Sequence, residues 1–185
     1  MKNIILGNEV ERMPDFAFRF MKFLFHIFYF FKSVRKDLVN FGVEKGDTVA
    51  DWGCGTGAYV KETSEMVGAD GKVYAVDVHE LSIESVKKII LRNSLLNVIP
   101  VLSNGIKTDI PDNAVNIVFA LDMFHMVKNT DLFLKEICRI TRDDGCLFIE
   151  DGHQPRKAAR EKILKSGCWK IIAEQKRYMK CSPVK

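Results

Sequence analysis

From Thr48 onward the sequence alternates apolar runs of strand length with stretches whose apolar residues recur every three or four positions. That alternation restricts the chain to an α/β architecture, a largely parallel sheet with helices on its faces. The strand-like runs fall at Thr48 to Asp51, Val73 to Asp77, Val98 to Leu102, Ile117 to Leu121 and Cys146 to Glu150. Helical periodicity separates them at Val60 to Val67, Ser82 to Arg92 and Thr130 to Thr141, and Pro155 opens a further helix that Gly167 follows. Pro100 has no N–H to give a ladder, so the third strand is expected near an edge. The last two runs, Trp169 to Ala173 and Tyr178 to Cys181, are joined by only a few polar residues. So short a connection makes a hairpin, which predicts a final strand antiparallel to its neighbour.

The N-terminus obeys a different pattern. Eight of the 13 Phe lie between Phe16 and Phe31, yet Arg19, Lys22 and His26 interrupt them, so the stretch is a poor membrane span. Arg12, Asp15, Arg19, Lys22 and His26 are spaced three and four apart, which puts them on one stripe of a helix whose remaining surface is apolar. Such a helix must be covered. Residues 1–40 are therefore expected to form a helical segment packed near the active site of a domain spanning residues 41–185. A homodimer interface or peripheral membrane contact is the other outlet for it.

Charge and cysteine content exclude several classes. With 28 Lys+Arg against 24 Asp+Glu spread along 185 residues, no concentrated basic face marks a nucleic-acid binder. The five cysteines are odd in number, widely spaced and contain no C-x-x-C. A disulfide framework or zinc knuckle is not expected, and a cytoplasmic location is.

The chemistry concentrates in Asp51-Trp52-Gly53-Cys54-Gly55-Thr56-Gly57-Ala58, between the first strand and the first helix of the alternation. Glycines there permit a tight turn and close approach of backbone to a ligand at the positive end of a helix. Asp77 follows Gly57 by 20 residues, at the end of the second strand, where a carboxylate suits the ribose hydroxyls of a dinucleotide or an adenosyl ligand. Two features separate those ligands. Asp51 would repel a pyrophosphate and attract an amino group or sulfonium. No Lys or Arg stands near the loop until Lys61. Both favour S-adenosylmethionine over a nicotinamide dinucleotide, and no separate substrate domain follows as an oxidoreductase would need.

Val49 to Gly57 resembles the first motif of class I S-adenosylmethionine-dependent methyltransferases, and Val73 to Asp77 resembles their second. The likeness continues through Asp109-Ile110-Pro111-Asp112, the fourth strand and Leu132 to Ile149, and is nearest to the small ubiquinone/menaquinone-type branch. It implies a Rossmann-like, doubly wound seven-stranded sheet with the last strand antiparallel, in agreement with the hairpin. It also implies that Asp51 faces the ligand's amino group, that Gly53, Gly55 and Gly57 line its methionine end, that Asp77 takes the ribose hydroxyls, and that Val78 lies against the adenine. The sequence departs from the family at Ser103-Asn104-Gly105-Ile106, where the resemblance leaves either Asn104 or a backbone group to serve in place of an adenine-binding Asp. It departs again at Val115-Asn116 in place of Phe-Asp, and at Asp143-Asp144-Gly145 in place of Pro-Gly-Gly.

Substrates of an open α/β sheet bind beyond the carboxyl ends of its strands. The candidates there are His79 and Glu80, Asp122 and His125, and Glu150, Asp151 and His153. His125 is the first choice for a base or substrate contact and His153 the second; a structural histidine and a solvated loop are their plain alternatives. Asp122 and Tyr59 are further candidates for the cofactor's surroundings, Tyr59 over the methionine portion or as helix packing. The histidines and carboxylates show no metal-ligand spacing, so no metal is assigned. An Asn/Asp-Pro-Pro-Tyr motif is absent after strand four, and there is no Pro-Cys pair. The resemblance thus points away from nucleic-acid bases and toward a small, apolar or thiol- or hydroxyl-bearing methyl acceptor. A nonenzymatic protein that binds S-adenosylmethionine or a partner is the alternative.

Overall fold

The structure is a computed structural model that describes residues 14–16 and 34–185. Most of the Phe-rich stretch, and with it the helix, dimer and membrane expectations, lies outside the described residues. Chain order is α1 (Val34–Phe41), β1 (Thr48–Trp52), α2 (Val60–Val67), β2 (Lys72–Asp77), α3 (Glu80–Asn93), β3 (Val98–Leu102), β4 (Val115–Ala120), a 3₁₀ turn (Phe124–Met126), α4 (Thr130–Ile140), β5 (Thr141–Glu150), α5 (Arg156–Lys165), β6 (Trp169–Glu174) and β7 (Tyr178–Pro183). The seven strands form one sheet in the order β3-β2-β1-β4-β5-β7-β6. Pairings from β3 across to β5 are parallel, and β7 is antiparallel to both β5 and β6. The chain winds outward from β1 to β3 and then crosses to β4, so β1 and β4 are neighbours whose following loops diverge. That gap at their carboxyl ends is where an open sheet takes its ligand.

Strands covered on both faces read as continuous apolar runs, and alternate residues serve opposite layers. Ala50, Trp52, Tyr74, Val76, Leu147 and Ile149 pack toward α4 and α5, beside Phe133, Ile137 and Ile163. Val49, Val73, Ala75, Phe119 and Phe148 face the other way, toward α1, α2 and α3. Phe41 anchors α1 on that second layer, its ring centroid 4.5 Å from Phe148, 5.1 Å from Tyr178 and 5.6 Å from Phe119. Emptying such a site costs about 3–5 kcal/mol, so α1 belongs to the core and its position is fixed. No helix among the described residues is long and apolar enough to cross a membrane.

The structure moves three element boundaries for identifiable reasons. β3 is an edge strand, as Pro100 requires, while β4 starts two residues before the expected Ile117. β5 begins directly after α4, with Thr141 opposite Val115; the register then jumps so that Cys146 faces Ile117, leaving residues 142–145 bulged opposite Asn116. A Cβ on Gly145 would come within 2.7 Å of the Asn116 carbonyl oxygen, which explains the glycine in Asp143-Asp144-Gly145. Asn116 itself accepts a 3.0 Å bond from Thr48 N at the start of β1. α3 starts at Glu80 because His79 caps it, its Nδ1 accepting from Leu81 N at 3.2 Å.

Candidate functional site

β1 ends on Asp51-Trp52, and the glycine loop folds back against β2: Gly53 N and Cys54 N both donate to the Val76 carbonyl, at 2.8 and 3.0 Å. Gly53, Gly55 and Gly57 all have positive φ, at 82°, 51° and 83°, a region that other residues enter only with strain. Their surroundings differ. A Cβ on Gly53 would strike Met123 Cγ at 2.9 Å and one on Gly57 would strike Ile89 Cδ1 at 2.7 Å, whereas one on Gly55 would meet nothing closer than 4.0 Å. Two glycines therefore let the loop pack on its neighbours, and the third leaves open space beside the backbone.

Asp77, at the end of β2, is half-buried and organises the loop. Its Oδ2 accepts from Gly55 N and its Oδ1 from His79 N, both at 2.8 Å. Burial raises its pKa, against the lowering effect of those N–H groups and of the Ser82 hydroxyl. Asp51 is far more enclosed, at 5% exposure, and its Oδ2 has no hydrogen-bond partner among the described residues. Burial pushes its pKa well above the carboxylate range, and the charge of Asp77 adds to the rise. A buried carboxylate oxygen without a donor costs free energy that a cation beside it would recover. The donor set is therefore a lone acidic oxygen, a half-buried carboxylate at the next strand end, and an open glycine between them. That arrangement fits a ligand with a cationic amino group and vicinal hydroxyls, as S-adenosylmethionine has.

Beyond this pair, Val78 is half-buried against the core layer under α4, and Asn104 is exposed. The Asn104 side-chain oxygen accepts from Ile106 N and Lys107 N at 3.0 and 2.9 Å, so it shapes the turn after β3. Tyr59 is buried: its ring lies 5.4 Å from Phe119, and its hydroxyl donates to Asp37 Oδ2 at 2.6 Å.

The other half of the edge is built by the loops after β4 and β5. Asp122 turns the chain at φ 53°, a conformation that Asp tolerates better than most residues. The 3₁₀ turn follows, with Phe124 buried against Phe133 and His125 half-buried. Gly152 (φ 65°) presses so closely on the His125 ring that a Cβ there would overlap Nδ1. His153, one residue on, sets its ring edge-on to His125, with centroids 4.8 Å apart, and its Nε2 lies 3.8 Å from Asp122 Oδ1. The structure thus gathers His125, His153 and Asp122 from two loops.

The remaining candidates are placed elsewhere. His79 serves as the α3 cap, and its Nε2 lies 3.5 Å from Asp15 Oδ1, so the N-terminal segment reaches the cofactor edge at that residue. Glu150 pairs with Arg177, and Asp151 with Arg156. Arg177 also bonds Asp37 at 3.0 Å, joining β5, the hairpin and α1. Sequence reasoning passed over Asp37, Arg177 and Met123. None lies in a motif, and only the fold brings them to the site.

A methyltransferase-domain family profile matches residues 43–182. Among curated proteins, demethylmenaquinone methyltransferase of Geobacillus stearothermophilus is 30% identical over 122 residues, 65% of this chain and 52% of that protein. The ubiquinone/menaquinone biosynthesis C-methyltransferase of Neisseria meningitidis is 29% identical over 108 residues, 58% of this chain and 43% of that one. The chain thus spans about half the length of these relatives. Among solved structures, a S-adenosylmethionine-dependent methyltransferase from Aquifex aeolicus superposes with a TM-score of 0.70 at 28% identity, covering 82% of this chain and 88% of that one. A TehB-like methyltransferase from Corynebacterium glutamicum, 13% identical with a TM-score of 0.70 over 94% of this chain and 100% of its own, shares the fold. The glycine loop, the two strand-end carboxylates and these likenesses agree: the chain belongs to the methyltransferase-domain family, as a class I S-adenosylmethionine-dependent member.

Proposed function

We propose that the chain transfers a methyl group from S-adenosylmethionine to a small-molecule acceptor. The observation that carries this reading is the enclosed, donorless Oδ2 of Asp51 beside the open face of Gly55. In this reading Asp51 holds the ligand's ammonium and Asp77 its ribose hydroxyls, while Val78 and the Asn104 amide flank the adenine. Gly53, Gly55 and Gly57 keep the loop low enough for the methionine end to pass, and Tyr59 fixes the loop to α1 through Asp37. The bound cofactor supplies a methyl group already activated on a sulfonium. What is left to the chain is alignment, exclusion of water and, where the acceptor must lose one, custody of a proton. His125 is the proton acceptor, held against Gly152, with His153 and Asp122 as the route outward.

The acceptor is a small apolar molecule bearing a hydroxyl or thiol, or a ring carbon activated by such a hydroxyl. The names of the quinone C-methyltransferase relatives support the last form. Arg156 and Arg177, drawn to the carboxyl end of β5 by Asp151 and Glu150, are already bound to carboxylates, which argues against a strongly anionic acceptor. Contact between Asp15 and His79 supports the N-terminal segment as a wall of the same cleft.

Calorimetric titration with S-adenosylhomocysteine and, separately, NADH tests the reading at its base. Binding of the first alone is expected and justifies a screen of hydroxylated, apolar acceptors. Preference for NADH, or no binding of either, would overturn the assignment of Asp51. Binding without turnover on any acceptor would favour a nonenzymatic role.

A further inference from the structure

At the amino edge of the sheet, away from the cofactor cleft, two cysteines separated by 30 positions in sequence meet. Cys138 lies in the last turn of α4, which leads straight into β5; Cys168 lies one residue before β6, which runs parallel to β5 because both are antiparallel to β7. The Cys138 thiol is 6% exposed and donates to the Cys168 carbonyl at 3.4 Å. That contact sets the Cys138 side chain against the residue that carries the second thiol. Cys168 is half-buried and its sulfur lies 3.3 Å from Ser166 Oγ. The remaining thiols lack this combination: Cys54 and Cys181 are buried, and Cys146 has no thiol partner at hydrogen-bonding distance among the described residues.

We propose that Cys138 and Cys168 form a peroxide-sensitive dithiol, with Cys168 the sulfur that is attacked first and Cys138 the one that resolves it into a disulfide. The asymmetry follows from the contacts. Cys168 is the more open of the two side chains, and the neighbouring Cys138 thiol lowers its pKa against burial, so it is the sulfur that meets peroxide as a thiolate. Cys138 is enclosed and commits its S–H to the Cys168 carbonyl, and its neighbour Cys168 and burial raise its pKa, so it keeps its proton. Thiolates, not thiols, attack peroxides. The Cys168 thiolate displaces hydroxide from hydrogen peroxide and becomes a sulfenic acid. Cys138 then attacks that sulfur, its proton leaving with the expelled hydroxide as water. Two thiols and one peroxide give one disulfide and two waters. The bond would tie α4 to the α5–β6 corner, a second staple beside the Trp169 indole, which already donates to the Leu134 carbonyl at 2.9 Å.

The full chain, treated with hydrogen peroxide under native conditions and then alkylated and digested, reads this directly. A Cys138–Cys168 cross-linked peptide is expected, about 2 Da lighter than its reduced parts and restored by dithiothreitol. In Cys138→Ser, Cys168 should stop at a sulfenic acid that dimedone traps, while in Cys168→Ser, Cys138 should remain alkylatable. Cys168 carried to sulfinic acid with Cys138 still free, a cross-link between another pair, or no oxidation of either sulfur would overturn the assignment.

Discussion

The two halves of the carboxyl edge are built on different principles. Around β1 and β2 the backbone sets the site, with glycines at positive φ and N–H groups aimed at Asp77, beside one Asp51 oxygen left without a donor among the described residues. Around β4 and β5 they are side chains from separate loops, His125, His153 and Asp122, held by contacts such as Gly152 against the imidazole. A backbone site can be shared by every member of a family that binds one cofactor. A side-chain site on loops can be rebuilt for each acceptor without disturbing it.

That division is broken most forcefully at the acceptor end. Replacement of His125 by Ala should slow methyl transfer by about 10²-fold or more, the usual share of a positioned acid or base, while S-adenosylhomocysteine binds as before. Unchanged turnover in a single-turnover assay would make His125 a packing residue, and a parallel loss of cofactor affinity would erase the separation of the halves. At the other end, Asp77→Ala should weaken S-adenosylhomocysteine about 100-fold, as expected for two hydrogen bonds to a charged group, with far-UV circular dichroism retained. Retained affinity in calorimetry would remove Asp77 from the ribose.

Asp51→Asn is the sharper comparison, because it should act with opposite signs on two observables. It removes a buried carboxyl whose ionisation burial and Asp77 oppose, so above the pH at which Asp51 ionises the ligand-free protein should melt about 2–4 °C higher per kcal/mol relieved. It also removes the anion that faces the ligand's ammonium, so affinity should fall about tenfold. A variant that lost both stability and affinity would show that Asp51 is an ordinary structural cap.

The same contrast explains what could be read without coordinates. The sheet, its closing hairpin and the edge position of β3 followed from apolar runs of strand length, a connection of a few residues and one proline, all local signals. The glycine loop with Asp51 and Asp77 was equally legible, since both carboxylates sit at fixed offsets from strand ends. The capping role of His79 was not legible, because histidine is an uncommon helix cap and nothing in the sequence announces that its Nδ1 turns back to Leu81 N. Tyr59's bond to Asp37, and Arg177's bridge from the hairpin to Asp37 and Glu150, depend on how α1 and β7 dock on the sheet. Cys138 and Cys168 meet for the same reason. Pairings across dozens of residues leave no periodic trace.

The smallest effect, and the most diagnostic of mechanism, is in the pH dependence of ligand stabilisation. A carboxyl whose pKa is higher in the folded than in the unfolded chain makes the folded state bind more protons between the two values. Stability from that group is therefore lost as pH rises through that window. Asp51 and Asp77 both behave this way without ligand. Glu136 opposes them: burial raises its pKa, but bonds from Arg139 and Thr108 outweigh it, so its contribution is lost as pH falls. The bare melting curve mixes these signs, and a difference measurement separates them. An ammonium seated on Asp51 stabilises the ionised form, so the melting shift produced by S-adenosylhomocysteine should grow as pH rises from the ordinary carboxylate range toward neutrality, with proton release on binding. In Asp51→Asn that growth should flatten, while the Glu136 contribution, common to both proteins, cancels. A shift with the same pH dependence in both would place the ligand's charge elsewhere and leave the donorless oxygen of Asp51 without a role in binding.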